Sequence, residues 1–88
     1  MISKKQLKRA MYTFVDGPNM GEIFIVVKFD DTDIHALILY NGGNRNITIS
    51  RYFMEQLIDK QELEFVETLP KDVFSNIQNT WKNSLDKT

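Results

Sequence analysis

A small α+β domain, with helices packed on a sheet, is predicted from three features of the 88-residue sequence. Two neighbouring runs, 22–29 and 34–40, are apolar on both of their alternating faces. In an antiparallel hairpin this calls for cover on both sides. Apolar residues at helical spacings of three and four flank the pair, near both ends of the chain. Turn-forming clusters separate the runs, and no repeat, low-complexity tract or linker interrupts them. The predicted order is α-β-β-α-β-α, with an antiparallel or mixed sheet of three to four strands, in one domain over 1–88 whose last residues, 86–88, fray.

The first predicted helix starts at Ser3, which with Gln6 fits a capping box. Leu7, Ala10, Met11, Phe14 and Val15 make its apolar stripe, and Asp16-Gly17-Pro18-Asn19 stops it. The first strand covers 22–29. On strict alternation Ile23, Ile25, Val27 and Phe29 share one of its faces. Asp30-Asp31-Thr32-Asp33 turns the chain into the second strand, 34–40, where Ile34, Ala36, Ile38 and Tyr40 oppose His35, Leu37 and Leu39. Residues 41–46 read as a loop, and Ile47-Thr48-Ile49 as a short added strand. Ser50 caps a helix from Arg51 to about Lys60, with Phe53, Met54, Leu57 and Ile58 on its stripe. Residues 62–68 form a strand in which Leu63, Phe65 and Leu69 face one way. Pro70 opens a last helix striped by Phe74, Ile77, Trp81 and Leu85.

Composition narrows the function. Hydrophobic content of 42% and charged content of 26% are globular values, which excludes disorder as the default. Eleven basic and twelve acidic residues leave a charge of −1, which excludes a generally basic nucleic-acid binder and a strongly acidic DNA mimic. With no cysteine there is no disulfide, thiol chemistry or cysteine-held metal. The longest apolar runs, 23–27 and 36–40, are far short of a membrane span, and the basic start lacks the apolar core of a signal peptide. A cytoplasmic protein is expected, with no cofactor.

The near-neutral total hides a division. Residues 1–15 carry Lys4, Lys5, Lys8 and Arg9 with no acid, so they sum to +4, and the remainder to −5. On a helix these cations and Tyr12 share the face opposite the apolar stripe. That arrangement opposes the helix dipole and stacks like charges at i, i+4. The cations either pair with the chain's own Glu55, Asp59, Glu62, Glu64 and Glu67 or stay open for a partner.

Other constellations are weak. Asp30, Asp31 and Asp33 resemble part of a calcium loop, but its sixth and twelfth positions are His35 and Asn41 instead of glycine and glutamate. His35 has no nucleophile motif around it, so no catalytic residue and no metal site is assigned, and the chain is read as non-enzymatic. Gly42-Gly43 lacks phosphate-loop spacing, while Asn44 and Arg45 are exposed loop residues suited to contact. Three apolar stripes exceed what two sheet faces need, which leaves one for a homodimer or a partner. The expected function is a small protein-binding module, a regulator or inhibitor of a larger protein, using Lys4, Lys5, Lys8, Arg9, Tyr12, Asn44 and Arg45. This is the type seen among accessory proteins of bacteria and their mobile elements. The alternative is nucleic-acid binding by the basic first helix.

Overall fold

The structure, a computed structural model that describes residues 2–86, is built on an antiparallel sheet of five strands in the order β4-β3-β2-β1-β5. The strands are β1 (Ala10–Phe14), β2 (Ile23–Phe29), β3 (Asp33–Tyr40), β4 (Gly43–Ser50) and β5 (Leu63–Thr68). Helix α1 (Arg51–Asp59) leads from β4 at one edge to β5 at the other. Helix α2 (Lys71–Asp86) lies on the opposite face. Residues 87 and 88 of the expected frayed end lie outside the described residues.

The α+β class and the two-sided cover are present, with five strands in place of three to four. The first predicted helix is absent. Lys4–Gln6 form one 3-10 turn, in which Gln6 Oε1 accepts the Ser3 amide at 2.9 Å, and β1 follows from Ala10. Two physical reasons decide it. The like-charge pairs and the opposed dipole tax a helix through Lys4–Arg9, and forming no helix removes both costs. Tyr12, Thr13, Phe14 and Val15 are aromatic or β-branched, and Ala10, Tyr12 and Phe14 also alternate, which suits a strand inserted between β2 and β5.

Strand β4 is longer than the three residues expected, because the predicted loop shrinks to Asn41-Gly42. Tyr40 pairs directly with Gly43, and Gly42 takes φ 106, the left-handed backbone that an Asn-Gly hairpin turn needs. Pairing with the apolar β3 carries Asn44, Arg45 and Asn46 into a strand despite their low propensity.

Two bulges reassign faces. In β2, Val26 pairs with Ala36 but Lys28 pairs with His35, so Val27 is an extra residue. Phe29 therefore joins the α1 side rather than following Ile23, Ile25 and Val27. A second shift, at Val66, lies between the Met11–Glu67 and Tyr12–Phe65 pairs, and Leu69 ends on the face opposite Leu63. The α1-side core joins Leu7, Ala10, Tyr12, Phe14, Phe24 and Met54 among others; the α2-side core holds Ile25, Val27, Leu37, Leu69 and Trp81.

Tyr12 sits at the centre of the first core with no exposed surface. Its hydroxyl donates to the Gln6 carbonyl at 2.5 Å, and burial pushes its pKa up to about 12. The unfolded side chain ionises near pH 10. Above that the unfolded state binds fewer protons than the folded one, so stability falls as pH rises from about 10 to 12. The loss should reach about 2–3 kcal/mol in alkaline urea titrations, and Tyr12→Phe should flatten the pH dependence.

The end of α1 is equally defined. The Gln61 amide donates to Ile58 and the Glu62 amide to Leu57, the double closure of a Schellman cap, with Gln61 in the left-handed region at φ 60. Glycine adopts that conformation freely. Gln61→Gly should therefore stabilise the protein by about 0.5–1 kcal/mol, visible as a higher melting temperature.

Candidate functional site: a basic cleft beside the β2 bulge

The cations of the N-terminal segment are not a helix face; they form one wall of a cleft. Lys8 and Arg9 come from the link into β1, Lys28 from the β2 bulge and Lys71 from the first residue of α2. They surround a hollow of about 440 Å³ whose apolar lining includes Leu7, Val27 and Phe74. No carboxylate is among the described residues that line it.

Local structure holds these groups in place. Arg9 has φ 51, a strained backbone for a residue with a side chain. Its carbonyl accepts the Leu69 amide at 2.8 Å, and its Nε donates to the Leu69 carbonyl at 3.0 Å. One edge of the guanidinium is thus anchored while its terminal nitrogens remain available. The bulge turns the Val27 carbonyl away from the ladder, and Gln78 of α2 donates to it at 3.1 Å. That bond ties α2 to the sheet beside Lys28.

The question of internal pairing has an answer here. Among the described residues, none of Lys4, Lys5, Lys8, Arg9, Lys28 and Lys71 has a carboxylate within 4.0 Å, whereas Arg45 pairs with Glu22 at 2.9 Å. Glu64 and Glu67 are exposed along β5 instead. A neighbouring hollow shares Leu7 and Phe29 with the cleft and adds Lys4 and Arg51, but Asp30 and Asp31 line it too, so the purely positive field stops there. Arg51 is committed, donating to the carbonyls of Asp30 and Ile2.

The other proposed contacts fall elsewhere. Lys4 and Lys5 are exposed. Tyr12 is core and is withdrawn as a contact residue, because strand geometry turns its ring inward. Arg45 packs over the Tyr40 ring at 5.4 Å, pairs with Glu22 and reaches Asn19. With the exposed Asn44 it lies near the β3–β4 turn, whereas the cleft lies beside the β2–β3 end of the sheet. Lys28 and Lys71 were missed by sequence reasoning. Only the bulge and the path of α2 bring them to Lys8 and Arg9, and neither has a signal in the spacing of charges.

The aspartate turn is explained by backbone geometry. Asp30 Oδ1 accepts the amides of Thr32 and Asp33 and the Thr32 hydroxyl, and the Asp33 and Thr32 amides hold its carboxyl below the usual range. His35 Nδ1 lies 3.0 Å from Thr48 Oγ1, with its ring tilted against Trp81. The Ser50 hydroxyl caps α1 by accepting the Phe53 amide. Among the described residues, no group of three or more His, Asp or Glu side chains is placed to hold a metal, and no helix is long and apolar enough to cross a membrane. Comparison with protein-family models, curated proteins and solved structures finds no match.

Proposed function

We propose that the chain is a protein-binding module, a cytoplasmic regulator or inhibitor that seats an acidic segment of a larger partner in the basic cleft. The convergence of Lys8, Arg9, Lys28 and Lys71 from separate segments, with no carboxylate of their own, supports this reading. Four cations without a carboxylate partner repel one another, a cost that an acidic ligand relieves. The apolar floor favours a peptide that places an aliphatic or aromatic side chain between its carboxylates. Nucleic acid fits less well. The rings at the cleft, Phe29 and Phe74, are half-buried in the floor rather than free to stack on bases, and Asp30 and Asp31 interrupt the positive track.

A displayed peptide library panned on the full chain tests the proposal. Selected peptides should combine Asp or Glu with one large apolar residue, and their affinity should fall as salt rises. The Lys28→Glu/Lys71→Glu variant should bind them at least about tenfold more weakly. Selection of peptides without acidic residues, or binding unchanged in that variant, overturns the reading. Tighter binding of a single-stranded oligonucleotide than of any peptide, with a steep log–log salt dependence, replaces it with the nucleic-acid alternative.

A further inference from the structure

The two edges of the sheet are managed differently. β5 is short, carries a bulge and displays Glu64 and Glu67, the usual devices that stop an edge from pairing with another strand. β4 has eight residues in unbroken register with β3, and its one charge, Arg45, is neutralised by Glu22 at 2.9 Å. We propose that the free edge of β4 is a self-association site, where β4 of a second copy adds antiparallel and joins two sheets into one.

The hydrogen-bond phase fixes which residues take part. A two-residue loop makes Tyr40 and Gly43 a bonded pair, and bonded and non-bonded pairs then alternate along the ladder. Gly43, Arg45, Ile47 and Ile49 therefore spend their amides and carbonyls on β3. Asn44, Asn46 and Thr48 direct theirs outward, and among the described residues no other backbone group meets them.

A two-fold axis at Asn46 makes this edge self-complementary. Asn44 pairs with Thr48 of the second copy, and Asn46 with its own equivalent, for about six interchain hydrogen bonds. Arg45 stands opposite Ile47 rather than a second Arg45, so no like charges are opposed. The same register sets the Ser50 end of each strand beside the β3–β4 turn of the other. Tyr52 and Phe53, exposed at 69% and 46% in the first turn of α1, then approach the half-exposed Tyr40 of the second copy. Such rings next to an open edge are what a two-fold contact buries. The proposal is independent of the basic cleft.

The full chain in sedimentation equilibrium should pass from 10.3 kDa to twice that mass as concentration rises from micromolar to millimolar. Hydrogen exchange should show the amides of Asn44, Asn46 and Thr48 gaining protection with concentration, while those of Arg45, Ile47 and Ile49 stay protected throughout. Two double variants test the register. Asn44→Glu/Thr48→Glu opposes two pairs of like charges and should weaken association by about tenfold or more. Asn44→Glu/Thr48→Lys opposes unlike charges and should associate at least as well as the parent. Both lose the Thr48 hydroxyl contact to His35, so that loss cancels between them. A chain that stays at 10.3 kDa, equal association of the two variants, or new protection at β5 instead of β4 overturns the proposal. Should the Glu/Glu variant fail to fold, the exchange pattern of the parent decides.

Discussion

Tyr12→Ala is expected to cost about 3–5 kcal/mol and to lower the melting temperature by roughly 15–30 °C. The ring is fully buried and meets Phe24 and Phe65 edge-on at centroid distances of 6.1 and 5.5 Å. Truncation opens a cavity where β1, β2 and β5 meet, and the Gln6 carbonyl loses its donor at the same time. Domains of this size are held by only about 5–10 kcal/mol, so a large part of the total disappears. Tyr12→Phe separates the two contributions. It keeps the ring contacts and removes the hydroxyl, at a cost of about 1 kcal/mol. Urea unfolding followed by circular dichroism measures both. A Tyr12→Ala protein that melts like the parent would return the residue to the surface of an amphipathic helix, where spacing alone had put it.

Trp81→Ala should release α2 from the sheet. Among the described residues, Trp81 is the buried side chain of α2, at 9% exposure, while Phe74 and Ile77 are half-buried. Its loss costs about 3–5 kcal/mol. The rest of the tether is the half-buried packing of Phe74 and Ile77 and two polar contacts, Gln78 to the Val27 carbonyl and Asn46 to Ser84 at 2.6 Å. Amides of α2 should then exchange at near-coil rates while those of β2 and β3 keep protection, the signature of one local unit opening. Peptide binding in the cleft should fall with them, because α2 supplies Lys71. Uniform loss of protection across the chain would show that the helix and the sheet unfold as one unit.

Most elements were legible because their local signals agreed. The β2–β3 hairpin, the Ser50 cap, the stripe of α1 and the stripe of α2 each joined apolar periodicity to fitting turn or cap residues. The first segment was not, because its two signals conflicted. Leu7, Ala10, Met11 and Phe14 satisfy a helical period, while Ala10, Tyr12 and Phe14 satisfy a strand period within the same residues. Only partners distant in sequence, Phe24 and Phe65, decide between them. The bulges at Val27 and Val66 were invisible for a related reason. A bulge arises from the match of two strands, so no pattern within one strand reports it. The site inherited both blind spots. Lys8 and Arg9 were recognised as unusual from charge alone, but Lys28 and Lys71 needed the bulge and the path of α2.

The position of β5 also bears on how the chain reaches this state. Strands β1 to β4 each pair with the strand next to them in sequence, so their contacts are local. The outer side of β1 is different, because its partner comes from near the other end of the chain. Until residues 63–68 pair with it, the outer backbone edge of β1 has no partner strand. The acidic residues of β5 thus protect an edge that exists only after folding is complete. Lys4, Lys5, Lys8 and Arg9 directly precede the β1 edge, and like charges beside an open strand disfavour its pairing with another chain.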